Sequence, residues 1–222
     1  MVTQTHFCEY TYSKNEYVYE LVNGFSSLIF CVYAICFVSF NSRVSSVLQY
    51  ILSSMLFMCG IGSAMFHWTL TDYWRSADEL PMLWMVTITN MYLVYRFDYF
   101  QNHECVKMVL IIILCSGLLF STISNVSSEN RLFFRTYFIC LTAILCILAG
   151  KKISIAGYIM GGIGAICWLI DMYMCSIIVS YLHLHTIWHI GIGYFAYSIL
   201  PIFEDTRNIS KESLYLPSKL SV

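Results

Sequence analysis

The chain has 222 residues, of which 59% are hydrophobic, 17% are aromatic and only 11% are charged. Soluble domains usually carry charge on about a quarter of their residues because their surfaces face water, so this composition excludes an ordinary soluble protein. The net charge is −1, and neither a basic tract nor a glycine-rich phosphate loop is present. We therefore expect no nucleic-acid partner, and nothing in the composition predicts a protein partner.

Long apolar runs recur along the whole chain, and each can cross about 30 Å of hydrocarbon as an α-helix. The runs cover residues 19–41, 46–66, 79–97, 106–124, 131–149, 153–175 and 185–203. Helices are favoured because a backbone in lipid has to satisfy its own hydrogen bonds. The sequence therefore predicts an all-α fold, an integral membrane bundle of seven transmembrane helices that forms a single membrane-embedded domain over residues 1–222.

The predicted bundle leaves a short segment at each end, residues 1–18 and residues 204–222. The first residues are polar and aromatic, so we expect no cleavable signal peptide. Orientation follows from positive charge, because cytoplasmic loops are enriched in Lys and Arg. One side carries eight of the 12 such residues, namely Arg43, Arg96, Lys107, Lys151, Lys152, Arg207, Lys211 and Lys219. This bias predicts a lumenal N-terminal segment and a cytoplasmic C-terminal tail.

Three stretches place ionisable or polar side chains where lipid should exclude them. Ser63 and His67 lie at the end of the second predicted helix, and Asp78 lies at the start of the third. His185 and His189 lie at the start of the seventh. With the orientation above, all three stretches occupy the lumenal ends of their helices. Ionisable residues inside a membrane are costly to bury, so they indicate a functional site.

The spacing of these residues indicates a metal site. His185 and His189 are four residues apart and share one helical face, so both imidazoles can bind one ion. His67 can supply a third ligand, and zinc in catalytic sites accepts three histidines and keeps a fourth position open. Ser63 lies one turn from His67, and Asp78 enters from the next helix. A lone HxxxH pair would also be consistent with packed core histidines, but the whole combination favours zinc.

The residues around this site resemble the signature of the alkaline ceramidases. The similarity is carried by Gly-Ile-Gly-Ser-Ala-Met-Phe-His-Trp-Thr-Leu at 60–70, by Asp-Glu-Leu-Pro-Met at 78–82 and by His-Thr-Ile-Trp-His at 185–189. The wider superfamily of seven-helix hydrolases includes the adiponectin and progestin-type receptors. The resemblance implies zinc on the three histidines, Ser63 and Asp78 as catalytic residues, and a location in the endoplasmic reticulum or Golgi membrane. The implied reaction cleaves the amide bond of ceramide, which yields a sphingoid base and a free fatty acid.

The resemblance also implies a calcium site in the N-terminal segment, where family members supply acidic and amide oxygens. Glu9, Thr11 and Glu20 occupy the candidate calcium positions in this sequence. His6 stands where the family has Asp, Phe7 where it has Trp, and Thr11 where it has Asn. Calcium prefers anionic oxygen ligands, so the lost Asp predicts weak calcium binding.

Further residues near the site carry separate expectations. The resemblance pairs Cys8 with Cys175 in a disulfide, which suits the lumenal placement of both. Asp171, in the sixth predicted helix, is hard to explain as a lipid-facing residue. It could orient a zinc histidine or bond a neighbouring helix. Arg75 replaces a family Gln beside the site, and the sequence offers no account of it.

These residues define an expected mechanism. Zinc on three neutral imidazoles lowers the pKa of a bound water to near 7. Asp78 would accept the proton of that water and pass it to the leaving amine. Ser63 could attack as a nucleophile, but no neutral histidine is left to act as its base. We therefore favour Ser63 as a hydrogen-bond donor to the oxyanion.

Three other functions stay open at the level of sequence. One is a hydrolase of another membrane lipid, which differs from a ceramidase only in its substrate. Another is a receptor-like member of the superfamily, although the predicted soluble ends are short. The third is a structural membrane protein with a non-catalytic zinc. The favoured partner is a membrane lipid, ceramide, with Zn²⁺ as cofactor and Ca²⁺ as a second candidate.

Overall fold

The computed structural model describes residues 7–12, 18–40, 46–96, 102–127 and 132–203, and these ranges contain helices and no strand. The described α-helices are α1 (Cys8–Tyr12), α2 (Leu21–Ser27), α3 (Ile29–Phe40), α4 (Val47–Thr69), α5 (Asp72–Arg96), α6 (Glu104–Ser127), α7 (Leu132–Ala149), α8 (Ile155–Tyr173), α9 (Ile177–Leu182) and α10 (Leu184–Ile199). Short 3-10 helices, Gly150–Lys152 and Leu200–Phe203, extend α7 and α10. The all-α prediction is confirmed. The predicted C-terminal tail, residues 204–222, lies outside the described residues.

Six stretches of the described chain are long and apolar enough to cross a membrane. They are Leu21–Phe40, Val47–Thr69, Glu104–Val126, Phe133–Lys152, Ile155–Tyr173 and Leu184–Phe203. Their outer surfaces expose large apolar side chains such as Ile112, Phe120 and Ile147, which a water-facing protein would bury. The chain is therefore a membrane protein. Helix α5 has 25 residues but is less apolar than these six, so the seventh span stays a prediction.

The predicted helix boundaries agree closely with the structure at most ends, with one clear error. The helix predicted to begin at residue 79 begins at Asp72, so Asp78 lies well inside α5 rather than at its start. A hydropathy profile lets a membrane helix begin only where the charged residues end, so it misses helical residues that precede this point. The backbone hydrogen bonds of the helix continue past it, and an acidic residue in the first turn favours the helix. The first predicted helix is also divided, since α2 and α3 meet at Leu28.

Helices α4 and α5 form the centre of the bundle. Helix α4 packs against α2, α3 and α5, and α5 packs in turn against α6 and α7. On the other side, α10 packs against α8, α3 and α2. Helix α7 packs on α5, whereas α8 packs on α10. Helices α7 and α8 therefore face each other across an internal cavity, which is described below with the site.

Gly62 allows α4 to approach α5 closely beside the site. Pro81 lies inside α5 and has no N–H, so the carbonyl of Ala77, four residues earlier, lacks its usual helical donor. A Cβ added to Gly62 would lie 2.4 Å from that carbonyl oxygen, which is closer than atoms can pack. Only glycine fits at this contact. It brings Ser63, the next residue of α4, towards Asp78, the next residue of α5.

We expect Gly62→Ala to lower the free energy of unfolding by roughly 1–3 kcal/mol, the usual cost of overpacking a well-packed contact. The matched control is Gly162→Ala in α8, where an added Cβ meets nothing within 4 Å. The control should be neutral, or should stabilise the helix by about 0.5–1 kcal/mol. Thermal unfolding of the purified proteins in detergent measures both. Equal midpoints for the two variants would show that the contact does not hold α4 and α5 together.

Candidate metal centre

Three buried histidines meet where the end of α4 approaches the start of α10. His67 lies in the last turn of α4, and His185 and His189 lie in the first turns of α10. One ring nitrogen from each lies within 4.8 Å of the other two. The side chains are 0%, 3% and 1% exposed, and Nε2 of His67 has no hydrogen-bond partner in the described structure. A buried set of imidazoles with an unpaired nitrogen fits a bound cation such as zinc.

Each histidine has a polar neighbour at its other ring nitrogen. The Glu20 carboxylate lies 2.5 Å from Nδ1 of His67, and the Ser26 hydroxyl lies 2.8 Å from Nδ1 of His189. Such partners fix the tautomer and orientation of a metal-binding histidine. The sequence did not predict Ser26 or this use of Glu20. Glu20 lies 47 positions before His67, and no spacing rule connects residues so far apart.

Asp171 lies near the third histidine, and its role as an orienting group stays a prediction. It is only 3% exposed, and Oδ2 of its carboxylate lies 3.7 Å from Nδ1 of His185. This distance exceeds that of a normal hydrogen bond, so the two groups are neighbours rather than hydrogen-bonded partners. The same oxygen accepts a bond from the backbone N–H of Cys8 at 3.5 Å. Asp171 therefore lies between Cys8 of the N-terminal segment and the three-histidine group.

Residues 7–12 of the N-terminal segment lie over the histidines. The disulfide between Cys8 and Cys175 is present and ties α1 to the end of α8. The backbone N–H of Phe7 donates to Oε1 of Glu20 at 3.0 Å. The Phe7 ring lies against His185, with 3.9 Å between ring centroids. A buried aromatic ring at this position excludes water from that side of the centre.

The predicted calcium residues have other partners in the structure. The Glu9 carboxylate accepts backbone N–H bonds from Val22 at 2.7 Å and Asn23 at 2.8 Å, at the start of α2. The Glu20 carboxylate faces His67, as described above. Thr11 is exposed, and His6 lies outside the described residues. Calcium binding by Glu9, Thr11 and Glu20 stays a prediction.

Ser63 and Asp78, the predicted catalytic residues, lie side by side near the histidines. Ser63 is 1% exposed and accepts a hydrogen bond from the Ser27 hydroxyl at 3.0 Å. The Asp78 carboxylate is a neighbour of the Ser63 hydroxyl, and the Cys59 thiol donates to its Oδ1 at 3.6 Å. Both neighbours come from one face of α4, because Cys59 and Ser63 are four residues apart. The contact between α4 and α5 therefore fixes the carboxylate.

Arg75, which the sequence left unexplained, fixes the neighbouring acidic residue Glu79. Its guanidinium is buried, pairs with Asp72 and lies 3.8 Å from Glu79. It also donates to the backbone carbonyl of Asn125 at 3.2 Å, near the end of α6. The side-chain amide of Asn125 donates in turn to Glu79 at 2.5 Å. This network attaches α6 to α5 and keeps the second carboxylate beside Asp78.

The polar residues open into one cavity of about 360 Å³. Ser63, Asp78, His185 and His189 contribute to its lining. The remaining lining is mostly aromatic and aliphatic and comes largely from α7, α8 and α10, for example Phe134, Phe138, Trp168, Ile192 and Phe195. Along α8 the lining extends from Met172 to Tyr158, a length of about 21 Å at the rise of an α-helix. A long apolar cavity with a polar end suits a lipid whose reactive bond lies near the histidines.

We expect Glu20→Gln to weaken zinc binding by roughly 10–100-fold, the usual effect of removing a group that orients a metal-binding histidine. The matched control is Glu9→Gln, because Glu9 also binds backbone amides at this end of the bundle but makes no hydrogen bond or ion pair with His67, His185 or His189 in the described part of the chain. Equilibrium zinc titration of the purified apoproteins provides the measurement. Equal zinc affinities in the two variants would exclude a specific role for the contact between Glu20 and His67.

The chain is similar to known proteins over most of its length. The family model described as Ceramidase matches residues 2–216. An alkaline ceramidase of Arabidopsis thaliana is 25% identical over 211 residues, covering 86% of this chain and 78% of that protein. An alkaline ceramidase of Drosophila melanogaster is 23% identical over 213 residues, covering 89% of this chain and 75% of that protein. The chain therefore belongs to the ceramidase family.

Proposed function

We propose that this protein is a zinc-dependent hydrolase that cleaves the amide bond of ceramide into a sphingoid base and a free fatty acid. One observation carries the proposal: three buried histidines converge beside Ser63 and Asp78, and this group adjoins a long apolar cavity. Membership of the ceramidase family supports the same reaction class. The alkaline ceramidase names of the two relatives support ceramide as the substrate.

We also propose that α5 spans the membrane, which brings the number of transmembrane helices to seven. It packs against α4, α6 and α7, so it lies among helices that are apolar enough to span. The charged residues in its first turns face the site or pair with one another, as Arg75 does with Asp72 and Glu79. With the positive-inside rule, this arrangement supports a metal centre at the lumenal side of the membrane, and we propose the endoplasmic reticulum or Golgi as the compartment.

His67, His185 and His189 would hold the zinc. A zinc ion bound there would act as a Lewis acid, which makes water more acidic and stabilises negative charge on the amide oxygen. The protein contributes neutral imidazoles in fixed orientations, with Glu20 behind His67 and Ser26 behind His189. Phe7 closes the centre from outside and keeps bulk water from competing with the substrate.

Asp78 would move the proton during hydrolysis. Its carboxylate accepts a proton from the attacking water and then donates it to the nitrogen of the leaving sphingoid base. Ser63 would donate its hydroxyl proton in a hydrogen bond to the amide oxygen as negative charge develops there. The Ser27 hydroxyl lies 3.0 Å from the Ser63 hydroxyl and helps to hold that side chain at the polar end of the cavity. Both roles need the carboxylate and the hydroxyl close together, as they are at the contact of α4 with α5.

The principal test is hydrolysis of ceramide by the purified protein, with and without a zinc chelator. We expect a free fatty acid and a sphingoid base as products, loss of activity on chelation, and recovery on adding zinc. Cleavage of other membrane lipids with ceramide untouched would exclude the ceramide assignment. Activity that survives complete removal of metal would exclude zinc from the reaction.

Each of the substitutions His67→Ala, His185→Ala and His189→Ala should greatly reduce both zinc content and hydrolysis, because two protein ligands make a poor zinc site. The matched control is His183→Asn. His183 lies two residues before His185 but outside the metal group, and its left-handed backbone conformation, with φ of 44°, suits asparagine. Metal analysis of the purified variants decides the outcome. Unchanged zinc content in one of the three alanine variants would remove that histidine from the site.

Asp78→Asn keeps the shape of the side chain but cannot accept a proton, so hydrolysis should collapse while zinc content persists. Ser63→Ala should also keep the metal and lower the rate by roughly 10²–10³, as expected for the loss of one oxyanion donor. Asp72→Asn is the control, because Asp72 lies at the start of the same helix and does not line the cavity. The steady-state rate of hydrolysis and the zinc content are measured on the same preparation of each variant. A trapped acyl-enzyme on Ser63 would show that Ser63 is a nucleophile instead.

A further inference from the structure

A second, smaller cavity of about 50 Å³ adjoins the main cavity. The two share six lining residues: Phe30, Met82, Phe138, Thr142, Ile192 and Phe195. Beyond this common wall, the smaller cavity continues between α4, α5 and α10, whereas the main cavity continues between α7 and α8. We call the smaller cavity the inner branch. The apolar space of this protein therefore divides in two.

The division lies directly beside the proposed reaction centre. Met82, in the common wall, lies one helical turn from Asp78 on α5. Ile192, also in the common wall, lies three residues from His189 on α10. One turn corresponds to about 6 Å along a helix. A substrate bond held at the polar end of the main cavity therefore lies about one helical turn from the wall that the two cavities share.

The inner branch offers only apolar contacts at its far end. Leu56, Val86 and Ile199 line it there and are almost fully buried. Thr89 also lines it, but its hydroxyl donates to the carbonyl of Met85 at 2.7 Å and needs no other partner. From Met82 to Thr89 the branch follows α5 over about 10 Å. Such a space favours a hydrocarbon chain and disfavours a polar group, which would lose its hydrogen bonds to water.

We propose that the inner branch holds an end segment of one hydrocarbon chain of a two-chain lipid amide while the main cavity holds the other chain. The proposal rests on the proposed function, because an amide bond between two chains has to be placed where two apolar spaces diverge. It assigns chain-length selectivity to residues outside the metal centre. Leu56 and Ala196, which line only the inner branch, then limit the length of one chain.

Two substitutions change the volume of the inner branch in opposite directions. Leu56→Ala enlarges it, and Ala196→Leu fills it. Leu52→Ala is the matched control for the first, because Leu52 is also buried on α4, one turn earlier, but lines neither cavity. Ala165→Leu is the counterpart in the main cavity, which it lines without lining the inner branch. None of these residues belongs to the metal centre.

The test uses two series of ceramides, one graded in the acyl chain and one graded in the sphingoid base. We expect Ala196→Leu to lower kcat/KM for the longest members of one series by roughly tenfold, as for a methylene that a pocket excludes. Leu56→Ala should shift the preference of the same series towards longer chains. Ala165→Leu should instead lower kcat/KM for the longest members of the other series. The series that responds identifies which chain enters the inner branch.

Three results would overturn the proposal: unchanged preferences in both series, equal shifts in both series, or a shift in Leu52→Ala as large as that in Leu56→Ala. Equilibrium binding of the same ceramides to zinc-loaded Asp78→Asn protein, alone and combined with each cavity substitution, is measured in parallel. If the parent does not hydrolyse ceramide, the proposed function fails. The binding series still decides whether the inner branch selects chain length.

Discussion

The close approach of α4 to α5 is the constraint on which the site depends. Gly62 can sit against the Ala77 carbonyl because Pro81 leaves that carbonyl without its helical donor. The next residue on each helix is a candidate catalytic group, Ser63 on α4 and Asp78 on α5. A bulkier contact would separate the hydroxyl from the carboxylate and would move His67 away from α10. The packing of small residues therefore determines the chemistry available to the site.

The second requirement is that polar groups buried in an apolar bundle satisfy one another. Hydrogen bonds are stronger where water is excluded, and an unpaired polar group is correspondingly costly. Glu20 illustrates how the protein meets this requirement, because one carboxylate accepts from a backbone amide of Phe7 and contacts the His67 ring. Arg75 plays a similar part for Glu79. The three-histidine group is therefore held by contacts from residues 7–12 and from α2, α4, α8 and α10.

Much of the fold and of the candidate site was predictable from the sequence. Apolar runs indicate helices in a membrane because length and hydropathy alone decide whether a segment can span. His67, Asp78, His185 and His189 were identifiable because ionisable residues inside apolar runs are costly and therefore rare. The rule that short loops place successive helix ends on alternate sides of a membrane predicts a common side for these residues, but only helix packing brings the three histidines together.

Other features depend on tertiary contacts that local patterns do not contain. Glu20 lies at the start of the first apolar run, where an acidic residue is ordinary, and only the folded chain brings it to His67. The start of α5 was misplaced because hydropathy does not register helical residues that bury their charges against each other, as Arg75 does. The inner branch was also beyond prediction, because it is a gap between helices whose relative positions come from packing.

The link between Cys8 and Cys175 has a consequence for biosynthesis. The two cysteines are 167 residues apart, so Phe7 cannot be fixed over the histidines until the ribosome has produced α8. His185 and His189 follow still later along the chain. A nascent protein therefore passes through membrane insertion with the histidine of α4 uncovered and without its two partners. Closure by the N-terminal segment is therefore a late step, and a truncated product that ends before α10 cannot form the three-histidine group.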